Sequence, residues 1–167
     1  MSKKQIAFVV VFFVLIVGFF LQKPQTPPDT SQDVPIKVLS VSDFPISLEG
    51  KPSVIVTLGK NKDDFVEFSI LREQVRPGFF AVLPAQINIH PLNVAGGRSG
   101  KNYIISGKHE TTASFAIDRI DPDKKTAYIT VSARLIDSTE LKNFVDISKT
   151  TASISGLNFD NFVKQIK

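Results

Sequence analysis

The feature that most constrains this chain is an unbroken apolar run over residues 6–21, close behind the N-terminus. Lys3 and Lys4 precede the run, and a polar, proline-rich stretch follows it. Its length lies between that of a signal-peptide core, about 7–15 residues, and that of a full helical span, about 17–25 residues. Apart from Ala7 and Gly18 it consists of Ile, Val, Leu and Phe, which partition favourably into hydrocarbon.

The C-terminal end of this run is a poor cleavage site. Signal peptidase needs small residues before the cut, and Ile16-Val17-Gly18 offers only one. We therefore expect residues 6–21 to remain as a transmembrane signal anchor, with a cleaved leader or a buried helix as the alternatives. The positive-inside rule then places residues 1–5 in the cytosol and everything after residue 21 outside it.

Residues 22–33 have the composition of a linker, with three prolines and almost nothing to bury. In an extended, polyproline-like conformation of about 3.1 Å per residue, the eleven residues 22–32 reach roughly 34 Å. The sequence therefore predicts a domain held away from the membrane by a semi-rigid spacer.

Residues 34–167 have the size of one ordinary domain. The chain carries a formal net charge of +4, of which Lys3 and Lys4 contribute two units, and the remaining charges are interspersed. Without a basic stripe we expect no nucleic-acid partner. The absence of cysteine is compatible with an exported domain whose core needs no disulfide. The absence of an N-x-Ser/Thr site favours a bacterial envelope, with the domain in the periplasm or at the cell surface.

The domain is expected to be mainly β. From Thr126 to Ile136, apolar and polar residues alternate with period two, which indicates a strand with one buried face. Residues 109–118 alternate in the same way, and Asp-Pro-Asp between the two segments favours a turn. We therefore predict an antiparallel hairpin here.

Further strands are predicted from shorter patterns. Val145–Ile154 changes its apolar parity midway, which indicates a bulge near residues 149–151. The other expected strands cover residues 34–41, 54–58, 64–71, 79–83, 86–90 and 102–106. A run of short strands separated by turn signals is typical of an antiparallel sandwich or a small barrel.

Two short helices are predicted. Residues 138–144 favour one or two turns capped by Asp137 or Ser138, and a second helix is expected after a cap at Asn158. The second is amphipathic, with an apolar stripe formed by Phe159, Phe162, Val163 and Ile166. We expect this stripe to pack on the domain's own core, and docking on a partner protein is the alternative.

Residues 96–102, Gly-Gly-Arg-Ser-Gly-Lys-Asn, invite comparison with a phosphate-binding loop. The Walker pattern would need Gly at 95 and Ser or Thr at 102, and the chain has Ala95 and Asn102. We expect a flexible surface loop, in which Arg98 and Lys101 are the candidates for contacting a partner or ligand.

No catalytic, cofactor-binding or metal site is predicted. His90 and His109 are expected to be surface or structural residues, and no serine lies in a G-x-S-x-G motif. Asp118, Asp121 and Asp123 form an acidic cluster, but without the spacing of a calcium loop. For the two neighbouring phenylalanines at 79–80, the pattern is compatible both with packing in the core and with an exposed apolar contact.

These features favour a non-enzymatic, membrane-tethered module that binds or scaffolds other envelope proteins as an accessory subunit. A carrier or sensor that holds a lipid, glycan or other small ligand inside the β structure is the alternative. An enzyme with an unrecognised site is the third hypothesis. The expected architecture is thus a single transmembrane helix followed by an antiparallel β sandwich or barrel with a C-terminal amphipathic helix.

Overall fold

The structure, a computed structural model, describes residues 36–44, 50–84 and 92–164. The predicted anchor at 6–21, the linker at 22–33 and the strand at 86–90 lie outside these residues, as do His90 and Ile166. Within the described ranges, no helix has the length and apolar character needed to cross a membrane.

Nine strands, one 3₁₀ turn and one α-helix occur in the described ranges. In chain order they are β1 (Lys37–Phe44), β2 (Ser53–Asn61), β3 (Asp64–Leu71), the 3₁₀ turn Arg72–Gln74, β4 (Phe80–Leu83), β5 (Leu92–Arg98), β6 (Lys101–Ile104), β7 (Thr112–Asp121), β8 (Thr126–Asp137), β9 (Phe144–Ser155) and α1 (Leu157–Val163).

All nine strands belong to one antiparallel sheet that curls into a half-barrel. The order is β1-β2-β3-β5-β6-β8-β7-β4, and β9 pairs with β8 as well. Strand β8 pairs with two strands along the same side. Its last two residues pair with β6, and the residues before them pair with β7. The prediction of a mainly β, antiparallel domain with a C-terminal helix is therefore confirmed.

The β7–β8 hairpin is confirmed and forms the middle of the core. Ala127, Ile129 and Val131 point inward from β8 and are fully buried, as the alternating pattern predicts. On β7, Phe115 is equally buried, and its ring lies 5.6 Å from that of Phe68 on β3. Because β3 and β7 are far apart in the order of the sheet, this contact joins the two halves across the interior.

The predicted bulge in β9 is also confirmed. Val131 of β8 faces Thr150, whereas Ala133, two residues later, faces Ile147 three residues away. The extra β9 residue lies at Ser148–Lys149, at the start of the predicted position. It allows both Ile147 and Ile154 to face the core despite their opposite parity.

Strand β5 was not predicted, and its C-terminal end corrects the expectation of a loop over residues 96–102. Gly96 and Gly97 lie inside the strand, paired with Val66 and Phe65 of β3. A Cβ on Gly97 would lie 2.6 Å from the Phe65 ring, and one on Gly96 would lie 2.9 Å from the Phe65 carbonyl oxygen. These glycines therefore allow close packing within the sheet rather than the freedom of a loop.

Helix α1 covers the outer edge of β1, and its start differs from the prediction. The helix begins after Gly156, and Asn158 lies in its first turn instead of capping it. The Asn158 side-chain oxygen accepts a hydrogen bond of 3.0 Å from the Val41 amide, and the Asn161 amide donates one of 3.1 Å to the Val41 carbonyl. The two asparagines thus replace the neighbouring strand that β1 lacks on this side.

Candidate functional site

The end of the sheet where β1 begins, here called the linker end, is built from three connected turns. They are the β2–β3 turn at residues 61–63, the β5–β6 turn at 99–100 and the β8–β9 loop at 138–143. The Ser99 amide donates to the Asp63 carbonyl at 3.2 Å, and the Ser138 amide donates to the Asn102 carbonyl at 2.8 Å. These backbone hydrogen bonds hold the three turns together as one surface.

The two predicted ligand-contacting residues flank the tightest of these turns. Ser99 and Gly100 have positive φ values of 51° and 77°, as in a type I′ hairpin, and only these two residues lie outside the strands. Arg98 ends β5, and its Nε lies 3.7 Å from an Asp64 carboxylate oxygen. Lys101 begins β6 on the other side of the turn. The turn presents both side chains, but each lies near a carboxylate of its own chain.

The partner of Lys101 is the most buried carboxylate of the described residues. Asp137 is 1% exposed, and its Oδ2 lies 3.1 Å from the Lys101 ammonium, while Glu140 lies 3.2 Å from it on the outside. The amides of Thr139 and Glu140 donate to Asp137 Oδ1, and the first of these is the main cause that lowers the pKa of Asp137. The same cluster raises the pKa of Lys101, chiefly through Asp137.

Asp137 caps a turn here, and not the helix that was predicted at residues 138–144. Its carboxylate accepts hydrogen bonds from the amides of Thr139 and Glu140, as the side chain of a helix N-cap would. However, its own amide donates to the Asn143 carbonyl at 2.9 Å, which closes the β8–β9 loop after six residues. Leu141, with φ of 54°, turns the chain back into β9. The strand pairing therefore prevails over the local helical signal.

Four lysines of the linker end have no carboxylate partner within the described ranges. They are exposed, and they lie at the start of β1, at the β2–β3 turn and in the β8–β9 loop: Lys37, Lys60, Lys62 and Lys142. Next to the last of them, Leu141 is 43% exposed at the tip of its loop. The exposed carboxylates of this end are Asp63 and Glu140, and the second is paired with Lys101. The linker end is therefore a basic surface with an apolar tip.

The opposite end, here called the helix end, comprises the 3₁₀ turn, α1 and the β7–β8 turn at 122–125. At its centre Arg72 is buried and forms an ion pair with Asp43 of β1. The Arg72 Nη1 atom donates hydrogen bonds of 2.7 Å to the carbonyls of Asn161 and Phe162. These carbonyls belong to the last turn of α1, where the helix itself offers no donors. Arg72 thus fixes the helix to the sheet.

Lys164 completes this cluster from the end of the helix. Its ammonium lies 2.8 Å from Asp43 Oδ2, and this contact, together with Arg72, lowers the pKa of Asp43. Burial lowers the pKa of Arg72, and Asp43 opposes that effect. The cluster was not foreseen from the sequence because Asp43, Arg72 and Lys164 lie far apart in the chain and no local motif joins them.

A surface cleft of about 510 Å³ lies beside this cluster. Its walls combine basic and apolar side chains with one carboxylate, those of Lys51, Pro52, Arg72, Glu73, Val75, Val163 and Lys164. Lys51 and Glu73 lie 3.6 Å apart across it. A volume of this size is within the range of small-molecule sites, about 300–1,000 Å³.

The predicted apolar stripe of α1 packs on the domain itself. Phe159 and Phe162 are buried in the core, and Val163 is half-buried against it. The expectation of packing on the domain's own core is confirmed for these three residues, while Ile166 lies outside the described ranges. The phenylalanines are therefore unavailable to a partner while the helix stays in place.

His109, Asp118 and Asp121, which carry potentially reactive side chains, form hydrogen bonds within turns and between strands. His109 precedes β7, and its Nδ1 lies 2.9 Å from the Ser106 hydroxyl, which also accepts from the Lys108 amide. In the acidic cluster, Asp118 accepts from Thr130, and Asp121 accepts from the Lys124 amide. No cluster of three potential metal ligands occurs in the described ranges. These contacts serve to order loops and strands.

The two neighbouring phenylalanines at 79–80 divide between core and surface. Phe79 is buried, and Phe80, the first residue of β4, is 58% exposed. Strand β4 pairs with β7 along one side, and no described strand pairs with its other side. The structure therefore places a large apolar side chain on an open strand edge.

The interior of the half-barrel is filled by side chains. The cavity found there, between the β2–β3 and β5–β6 hairpins and β9, has a volume of about 10 Å³. That is about the volume needed to hold one water molecule.

Comparison with protein-family models, curated proteins and solved structures gave no match for this chain.

Proposed function

We propose that this chain is a non-enzymatic, membrane-tethered β domain outside the cytosol, which binds or scaffolds other envelope proteins as an accessory subunit. The tether is supported by the sequence alone: two lysines, the apolar run at 6–21 and a proline-rich linker precede the β domain. The bacterial periplasm is the expected compartment.

The observation that carries the binding part of the proposal is the open edge of β4. A strand edge presents unpaired amides and carbonyls, which another chain can use for pairing. The edge of β1 is covered at Val41 by Asn158 and Asn161, whereas β4 has no such cover among the described residues and carries exposed Phe80. A partner strand beside β4 would gain both backbone hydrogen bonds and an apolar contact.

The alternative function, binding of a small ligand, is favoured by one observation, the cleft at the helix end. The filled interior offers no support for a lipid carrier, because a lipid chain needs far more than about 10 Å³. The cleft offers room for a small polar molecule beside Lys51 and Arg72. A ligand-binding role would therefore use the outside of the domain.

Purification of the tagged full-length chain in mild detergent tests the proposal. We expect a stoichiometric protein partner that is lost with Phe80→Asp and kept with Leu157→Asp, because Leu157 is also exposed but lies on α1. Partner loss with both variants, or with neither, would contradict a role for the β4 edge. A small molecule bound in place of a protein, identified by native mass spectrometry, would favour the alternative.

The tether has a separate test. Retention of residues 1–21 in the mature protein, measured by intact mass, is expected for an anchor. Val14→Arg should cost roughly 2.5–3.5 kcal/mol of insertion free energy and reduce the membrane-bound fraction. A mature chain that starts near residue 22 would overturn the anchor.

A further inference from the structure

We propose that the linker end of the domain binds the surface of a membrane that contains anionic lipids. This inference rests on the proposed function, because it concerns a domain that is tethered to a membrane. The surface is the basic one described above, with exposed Lys37, Lys60, Lys62 and Lys142 and, at the tip of the β8–β9 loop, exposed Leu141.

This surface lies where the chain enters the described part of the domain. Strand β1 begins at Lys37, which faces Gly59 near the end of β2, so the chain enters the sheet beside the β2–β3 turn. The predicted linker at 22–33 precedes this strand in the sequence. An extended linker of roughly 34 Å would keep the domain within reach of the bilayer.

The two ends of the domain differ in the charge pairing of their lysines. At the helix end, Lys51, Lys124, Lys125 and Lys164 each lie within 4.0 Å of a carboxylate. At the linker end, none of the four lysines named above has such a partner among the described residues. Their charges are therefore available to an anionic surface. Each lysine close to such a surface raises the equilibrium constant for contact roughly fivefold.

The linker end combines a basic surface with an apolar tip. Leu141 is 43% exposed between Glu140 and Lys142, in a loop whose Thr139 and Glu140 amides donate to Asp137. Membrane-surface segments combine apolar side chains, which enter the boundary of the acyl chains, with lysines that meet the headgroups. Backbone hydrogen bonds join this loop, through β6 and the β5–β6 turn, to the β2–β3 turn that carries Lys62.

The absence of cysteine from the sequence allows a direct test on the full-length chain. The chain is reconstituted into nanodiscs of phosphatidylcholine alone, or of equal parts phosphatidylcholine and phosphatidylglycerol. A fluorophore is attached to a single cysteine introduced by Leu141→Cys or, as the matched control, by Leu157→Cys. Quenching by a lipid with a spin label in its headgroup then reports the proximity of each site to the bilayer.

We expect strong quenching at position 141 in the anionic discs, little in the neutral discs, and little at position 157 in either. Replacing all four lysines by glutamine should reduce the quenching at 141 by roughly tenfold or more. High salt should have the same effect, because the Debye length falls to about 3 Å at 1 M.

Equal quenching at 141 in both kinds of disc, or equal quenching at both positions, would overturn the inference while leaving the tether intact. A chain that elutes apart from the discs would overturn the proposed function, and this inference with it.

Discussion

Among the described residues, the exposed lysines of the helix end lie near carboxylates, whereas those of the linker end, Lys101 apart, do not. At the helix end, Arg72, Asp43 and Lys164 join the 3₁₀ turn, β1 and α1. At the linker end, the exception is Lys101, which contacts Asp137 and Glu140, and its cluster orders a single loop. The charged cluster at the helix end joins three elements of the fold, whereas most lysines of the linker end contact no described carboxylate.

The two ends also differ in how they close the sheet. The helix end uses buried aromatic side chains and a guanidinium, which cannot be removed without exposing the core or leaving backbone carbonyls unpaired. The linker end uses tight turns, whose backbone hydrogen bonds survive most changes of side chain. Substitution of a buried aromatic residue or of the arginine should therefore have a larger effect on stability at the helix end.

The largest effect is expected from Phe162→Ala in α1. Phe162 is fully buried, so its removal should lower the free energy of unfolding by about 3–5 kcal/mol. Leu157→Ala on the same helix, where Leu157 is 83% exposed, should change it by less than about 0.5 kcal/mol. Urea unfolding followed by circular dichroism measures both. Similar losses in the two variants would show that the helix does not pack as described.

A matched pair of arginine substitutions compares the ends directly. Arg72→Met leaves two carbonyls of α1 without their donor and Asp43 with Lys164 as its remaining cationic partner, and we expect a loss of about 2–3 kcal/mol. Arg98→Met removes one contact of 3.7 Å with Asp64 and should cost about 1 kcal/mol or less. Equal losses would remove the proposed difference between the ends.

Acid should act on both ends, and more strongly on the linker end. The pKa values of Asp43 and Asp137 are lowered in the folded state, so their stabilisation is complete above the ordinary pKa of aspartate and is lost as the pH falls through the lowered values. Asp137 is 1% exposed, whereas the Asp43 side chain is 39% exposed and screened by solvent.

We therefore expect Asp137→Asn to reduce the loss of stability between neutral pH and about pH 3 more than Asp43→Asn does. Urea unfolding at both pH values measures this difference. Asp123→Asn, on an exposed turn, is the control for the substitution itself and should change the free energy of unfolding at neutral pH by less than about 0.5 kcal/mol. The reverse order of the two test variants would place the main acid-sensitive contact at the helix end.

The smallest effect concerns two residues with positive φ, one at each end. Ser99 has φ of 51° and Lys125 has φ of 48°, a region that asparagine adopts more readily than either. Ser99→Asn should raise the free energy of unfolding by on the order of 0.5 kcal/mol. Lys125→Asn should gain less, because it also removes the contact of Lys125 with Asp160. Differential scanning calorimetry of both variants checks the order.

The parts of the fold that the sequence predicted are those set by local patterns. The β7–β8 hairpin follows from period-two alternation around Asp-Pro-Asp, and the bulge in β9 follows from a change of parity. Strand β5 was missed because Gly96 and Gly97 look like loop residues until Phe65 is known to pack against them. That contact joins residues more than thirty positions apart, which is farther than a local sequence pattern extends.

The candidate sites were predictable only as far as their residues have local signals. Arg98 and Lys101 were found from the turn between them, but their carboxylate partners come from β3 and β8. Asn158 was expected to cap α1, and its side chain instead pairs with Val41. In each case a contact with a distant strand decides the role of the residue.

The cover that Asn158 and Asn161 provide for β1 has a consequence for how the chain is made. The helix that carries them follows Val41 by more than a hundred residues, so it leaves the ribosome long after β1 does. Until α1 has emerged, the edge of β1 lacks this cover, and Arg72 lacks the carbonyls of α1. A chain that stops before α1 therefore leaves the edge of β1 open to pairing with another strand.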